Sequence, residues 1–303
     1  MSSNKIYIIT DIENLFYDYV NYYLDILSFI PSFLHENFGI NKDQFLEGYI
    51  NTIEISTTPQ DDYVFTTYKV LKLMDKNFMI KNTSKNAFIN SLRQRFYTVR
   101  QNLLSLLPNS ISVLKTLKDN NFVVVGLSNS TSKVLKQRIK MLKLDKFFDI
   151  IYCLEDEGSG FHFESDDSSI SSIWLSTMYG NVSSLMCDFV ELPKTYEKPS
   201  TRGIRRIIQD EDINKENIFV IGTSLENDIL PAKVLELKTI LVDRKVKIRN
   251  RNMLFKLSRR IGAKRLRQLL NIYNNNFVSE LKPSMVVSSL LELQYSLEKV
   301  NVI

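Results

Sequence analysis

Apolar residues recur along this chain in two rhythms. Short unbroken runs, Ile6–Ile9, Phe122–Leu127, Phe148–Leu154, Ile218–Ile221, Thr239–Val242 and Met285–Val287, read as strands buried on both faces. Between them lie stretches of helical period: Ser110–Lys118, Thr131–Leu142, Ser200–Gln209, Asp228–Leu235 and Ser289–Leu297. Asp119-Asn120-Asn121 leads into the second run, and Ser128-Asn129-Ser130 ends it and offers a cap to the next helix. Strand–helix alternation of this kind predicts a parallel α/β sheet with helices on both faces, its units joined by right-handed crossovers.

Two regions break the alternation. Roughly Leu15 to Leu107 shows helical spacing only, in Phe16–Phe38, Tyr63–Met74 and Ala87–Leu107, with breaks at Pro31, near Gly39 and in the Ser56–Pro59 turn. It reads as a helical module inserted after the first strand. Its aromatics (Phe16, Tyr17, Tyr19, Tyr22, Tyr23) suit a packed bundle better than a base-stacking surface. Glu155–Lys194, rich in Gly, Ser and acids around a possible strand pair, reads as a second insertion. The acids Asp156, Glu157, Asp166 and Asp167 fit a solvated loop better than a metal cluster.

Charge sharpens one segment. The net charge is +5, yet Arg244–Arg267 holds eleven Lys or Arg and no acid, so the remainder (+5 less 11) sums to −6. As a helix pair broken near Gly262, the segment would turn Met253, Leu254, Leu257, Ile261, Leu266 and Leu269 inward and present a basic face. Such a face suits nucleic acid, an acidic membrane surface or an anionic substrate. No apolar run reaches the length of a bilayer span, and no secretory leader pattern opens the chain. Two cysteines, Cys153 and Cys187, are too few for a disulfide framework or zinc cluster, which points to a reducing, cytoplasmic setting. His35 and His162 lie far apart and form no metal-ligand pattern.

Candidate chemistry begins at KIYIITDIENLF. Asp11 stands where the first strand ends, the place where open α/β sheets bind ligands. A carboxylate there can attack phosphorus and split one hydrolysis into two steps, or it can simply cap a helix.

Four segments taken in order bear on that choice. DIENLF at Asp11, VVVGLSNS at Ser128, EKPSTRGIRRII at Lys198 and IFVIGTSLENDILPAKVLELKTILVDR at Asp228 resemble, in sequence order, the four strand-end motifs of the haloacid dehalogenase-like (HAD) hydrolase superfamily. The flanks LLPNSISVLKTLKDNNF, LKLDKFFDIIY and KPSMVVSSLLELQYSLE are similar to the family as well. The resemblance implies a Rossmannoid core over residues 1–14 and 108–303, carrying insertions at about 155–195 and 244–276, with a helical cap over 15–107 that closes on substrate to exclude water. It further implies Asp11 as nucleophile and metal ligand, Glu13 at the general acid/base and metal position, and Ser128, Asn129 and Lys198 on the substrate's phosphoryl group. Asp228 would help hold Mg²⁺, and the substrate would be a phosphorylated small molecule.

Two departures fall on that chemistry. The family's second Asp is Glu13, whose extra methylene moves the carboxyl by about 1.5 Å, a shift of the size that can cost ~100-fold in rate. The family's motif-four Gly-Asp is Gly222-Thr223, and a neutral hydroxyl is a poor ligand for Mg²⁺. In addition Asn14 stands where Gly usually makes the turn, and Leu15 removes a Thr hydroxyl. Three readings follow. One is a phosphatase with a rearranged metal site, in which Asp228, helped by Glu226, compensates. Another is a metal-independent member such as the dehalogenases, which also lack an acid at the position of Thr223. The third is a catalytically impaired fold that binds an anionic partner through Arg244–Arg267.

Overall fold

The computed structural model describes residues 5–55, 70, 85–156, 185–270 and 282–300. Its centre is a seven-stranded, wholly parallel sheet of order β4-β3-β2-β1-β5-β6-β7. The strands are β1 (Tyr7–Thr10), β2 (Val123–Thr131), β3 (Ile150–Leu154), β4 (Asp188–Leu192), β5 (Ile218–Gly222), β6 (Lys238–Val242) and β7 (Met285–Val287). The HAD-like α/β fold read from the motifs is therefore the fold of the chain.

The unbroken apolar runs work because both faces of the sheet are covered. Ile9 stands level with Val125 of β2 and Val220 of β5, and all three join one buried layer with Ile204, Ile207, Ala232 and Leu235. One residue back, Ile8 stands level with Val124 and is equally buried while pointing to the opposite face. Burying each such side chain contributes about 1.5–3 kcal/mol. A strand polar on one side would lose half of that.

The chain divides into two compact units. The α/β unit comprises Met1–Asp18, Leu106–Val246 and Tyr273–Ile303. The helical unit comprises Tyr19–Ser105 together with Lys247–Ile272, so most of the basic segment clusters with the helices. Within the helical unit, α1 (Tyr19–Phe38) and α2 (Lys42–Ile55) precede α3 (Lys85–Leu103). Pro31 does not break α1, which runs through it. The helix stops at Gly39, whose φ of 68° lets its N–H reach back to the His35 carbonyl. The aromatics Tyr19, Tyr22 and Tyr23 are buried, in keeping with the bundle reading.

In the α/β unit the remaining helices are α4 (Ser110–Asp119), α5 (Ser132–Met141), α6 (Arg202–Asp210), α7 (Leu230–Val234) and α9 (Leu290–Val300), while α8 (Arg251–Leu270) belongs to the helical unit. Asp188–Leu192, placed in the second insertion by sequence, is a parallel strand on β3, so that insertion ends earlier than expected. Its edge position explains the miss, since only Leu192 of its five residues is buried and the apolar run is weak. Glu157, Asp166, Asp167, His162, the Ser56–Pro59 turn and nearly all of Tyr63–Met74 lie outside the described residues. In α8 the backbone leaves the helix at Gly262 (φ 73°, ψ 158°), which divides the segment as its sequence suggests. No described helix is long and apolar enough to cross a membrane, and both cysteines are free and buried.

Candidate active site

The site hangs from the carboxyl ends of β1, β2, β4 and β5. Asp11 follows β1, and its N–H donates to the Ile221 carbonyl of β5 at 3.0 Å, which fixes the first residue beyond the strand. The chain then turns sharply. Asn14 takes φ 57°, a conformation Asn tolerates, and its N–H meets the Tyr17 carbonyl at 3.0 Å.

The Lys198 ammonium lies between two carboxylates. Nζ donates to Asp11 Oδ1 at 2.7 Å and to Asp228 Oδ1 at 2.8 Å, with all three side chains at most one-tenth exposed. Asn129 sets this lysine in place: its Oδ1 accepts from the Lys198 N–H at 2.8 Å, and its Nδ2 donates to the Lys198 carbonyl at 3.1 Å. Asp228 is anchored by its other oxygen, which accepts from the N–H groups of Thr223 and Ser224, each at 3.0 Å. Ser224 caps the short π-helical turn Leu225–Ile229 that carries Asp228, its Oγ accepting from the Asn227 N–H. That seat needs Gly222, because a Cβ there would collide with the Asp228 Cβ and carboxyl group.

Burial pushes the Asp11 carboxyl up to about 7; Lys198 pulls it back, while the charges of Asp228 and Glu13 push it further up. Burial alone would lower the Lys198 ammonium, but Asp11 and Asp228 outweigh it and hold the group above its usual range. The lysine therefore stays charged while Asp11 titrates near neutrality.

Glu13 lies elsewhere in function. Its Oε2 accepts from the Ser128 hydroxyl at 2.8 Å, and its Oε1 accepts from the Tyr17 hydroxyl at 3.0 Å and from the Ser130 hydroxyl. Arg138 of α5 completes the group. Its Nη1 stands 3.9 Å from Oε1, and donates to the Tyr17 hydroxyl and Ser130 Oγ at 3.4 Å each. The Ser128 Oγ is also an acceptor for the Ser130 N–H at 2.9 Å. Every member of this cluster is buried. Burial, then the charge of Glu13, pushes the Tyr17 phenol well up, so it remains a donor.

The structure therefore brings Asp11, Lys198 and Asp228 together, with Asn129 holding the lysine backbone. Glu13 and Ser128 stand apart from that trio: Glu13 accepts from three hydroxyls beside Arg138, and the Ser128 hydroxyl donates to Glu13. Ser128 does not cap α5, whose capping residue is Thr131. Asn129 is likewise engaged with Lys198. Glu226 is exposed and does not compensate for Thr223.

Magnesium demands near-octahedral coordination by hard oxygens. Here two carboxylates already bonded to an ammonium face a position where Thr223 supplies no charge. Among the described residues no group of three or more His, Cys, Asp or Glu converges on one point. These residues do not fit the ion that the family resemblance implies.

Missed by sequence reasoning were Arg138, Tyr17 and Ser130. A signal existed for the arginine. Ser132, Leu135, Arg138 and Ile139 share one buried stripe of α5, which places a charge on the inward face.

Comparison with known proteins agrees with this picture. The sequence model of the haloacid dehalogenase-like hydrolases matches residues 50–160, a stretch that includes Ser128 but not Asp11, Lys198 or Asp228. Among solved structures, a HAD phosphatase from Thermococcus onnurineus is similar over 96% of this chain and 97% of its own, at 15% identity and a TM-score of 0.51. A 2-haloacid dehalogenase from Pseudomonas syringae pv. Tomato DC3000 is similar over 97% of this chain and 99% of its own, at 10% identity and a TM-score of 0.53. No curated protein sequence matches the chain. The family match over residues 50–160 and the likeness to these two structures make the chain similar to the haloacid dehalogenase-like hydrolases, with their α/β fold.

Proposed function

We propose that this protein is a hydrolase that attacks its substrate through the Asp11 carboxylate, and that the substrate is a phosphomonoester. A carboxylate oxygen of Asp11 forms a bond to phosphorus as the bond to the leaving alcohol breaks; water then attacks the aspartyl-phosphate and releases phosphate. The observation that carries this reading is the Lys198 ammonium at 2.7 Å from Asp11 and 2.8 Å from Asp228. An ammonium has three N–H donors. Two are spent on the carboxylates, and the third can meet an equatorial phosphoryl oxygen as charge develops there. Asp228 holds the lysine on its far side and so positions it.

The test is a mass measurement on the Asp11 peptide after incubation with an aryl phosphate. A phosphoryl adduct on that peptide, absent in Asp11→Asn, is expected. An ester adduct formed instead from a 2-haloacid would redirect the reading to displacement at carbon. No adduct from either reagent, with no turnover, would overturn nucleophilic catalysis by Asp11.

A second reading has its own observation. Arg251, Phe255, Lys256, Arg259 and Arg260 form an exposed stripe of α8, and the Arg259 guanidinium carbon lies 5.6 Å from the Phe255 ring centroid. Met253 and Leu257 are buried, so the helix has no apolar face to give to a bilayer. An exposed ring flanked by cations suits a single-stranded nucleic acid. Salt-sensitive retention on such a strand, weakened by Phe255→Ala and by Arg259→Gln, would support this use. Retention indifferent to both would remove it.

A further inference from the structure

Asp11, just beyond β1, and Asp228, in the turn beyond β5, share the Lys198 ammonium at 2.7 and 2.8 Å, and a third carboxylate, Glu13, follows Asp11 by two residues. Two buried cations accompany them, Lys198 on the first pair and Arg138 on Glu13. The group as a whole carries about one net negative charge when Asp11 is ionised, where three bare carboxylates would carry three. We infer that Arg138 and Lys198 together supply the positive charge that a divalent cation would otherwise bring, so that this site is metal-independent by construction. Arg138 is then a positioning residue that retires Glu13 from the chemistry.

The geometry makes the case in three parts. An arginine stays protonated in any protein setting, so a buried one must have an anion in reach. Arg138 finds it in Glu13, directly at 3.9 Å and through Tyr17 and Ser130 at 3.4 Å. Glu13 in turn has both oxygens occupied and cannot swing out without stranding that arginine. Thr223, finally, carries no charge and presents its N–H to Asp228, so a neutral residue stands where an ion would need an anionic ligand. The inference uses Asp11 as the reacting group but is indifferent to which substrate it attacks, and its readouts do not require turnover.

The experiment is a calorimetric titration of the intact wild-type chain with Mg²⁺, alongside Thr223→Asp. Wild type should give no saturable heat up to millimolar ion, and Thr223→Asp should gain affinity by about tenfold or more through its added ligand charge. Saturable binding by wild type that Asp11→Asn abolishes would overturn the inference. The positioning role is read by thermal unfolding of Arg138→Met, Glu13→Gln and the double variant. Each single change strands a buried partner and should lower the midpoint, whereas the double variant should recover most of the loss, and Arg138→Lys should recover part of it. Losses that simply add, or a double variant no better than either single one, would show that Arg138 does not serve Glu13. If a single variant does not fold while the double one does, the coupling is shown in its strongest form.

Discussion

Asp11 and Glu13 are two residues apart on one turn, and their fates are opposite. Asp11 shares one cation with Asp228. Glu13 accepts from three hydroxyls and faces an arginine of its own. The first arrangement leaves a carboxylate that titrates near neutrality; the second surrounds its carboxylate with three hydroxyls and an arginine. Reactivity in this fold therefore does not follow from having acids at the strand end. It follows from what the neighbouring strands and helices supply to saturate each one.

The sharpest way to break this contrast is to remove the lysine. Lys198→Met leaves Asp11 and Asp228 buried without their cation, and should destabilise the chain by about 3–5 kcal/mol at pH 8, measured by urea unfolding. The loss should shrink at pH 5, where Asp11 is neutral. Arg138→Met should cost a similar amount, because it strands the buried Glu13 without its cation. If Arg138→Met costs nothing, Glu13 does not depend on that cation.

Gly222→Ala comes next. The added methyl meets Asp228, so the seat must open, at about 1–3 kcal/mol and with loss of adduct formation at Asp11. Unchanged stability and adduct yield would show that Asp228 need not sit where it does. Ser128→Ala is milder, removing one charge-assisted hydrogen bond to Glu13 for about 1.5–3 kcal/mol. It should leave the rate of adduct formation at Asp11 within a few fold. A rate collapse would return Ser128 to the reacting group.

The smallest effect is on pH dependence. As a nucleophile Asp11 must be ionised, so the single-turnover rate of adduct formation should rise about tenfold per unit below pH 7 and level off above it. Stability should move the other way. A carboxyl raised to about 7 in the folded state, against an ordinary value of 3.8, contributes stability that is complete below pH 3.8 and is lost as pH rises through 7. Asp11→Asn should flatten the stability profile and leave no adduct to follow.

Much of this was legible in the sequence, and the reasons differ by residue. The sheet could be read because buried parallel strands are unbroken apolar runs, which Ile6–Ile9 and Ile218–Ile221 display. The weakly apolar edge strand Asp188–Leu192 escaped for the same reason. Asp11, Lys198 and Asp228 could be placed because each follows a strand within a few residues, and the carboxyl ends of strands converge in a parallel sheet. The hydrogen bonds of Glu13 and Ser128 could not be read, because their partners are tertiary. Nothing near Glu13 announces that α5 will deliver an arginine to it, beyond the place of Arg138 on that helix's apolar stripe.

The central strand carries a consequence for how the molecule comes together. β1 pairs with β2 from Tyr7 to Val123 and with β5 from Tyr7 to Ile218, so each of its neighbours lies more than a hundred residues further along the chain. Made before both neighbours, it cannot pair along its second edge until β5 has been made. Closing loops that long makes such pairings slow, and in the interval the unpaired edge is open to the wrong partner. The strand that ends at Asp11 thus takes its final place only after most of the sheet has been made.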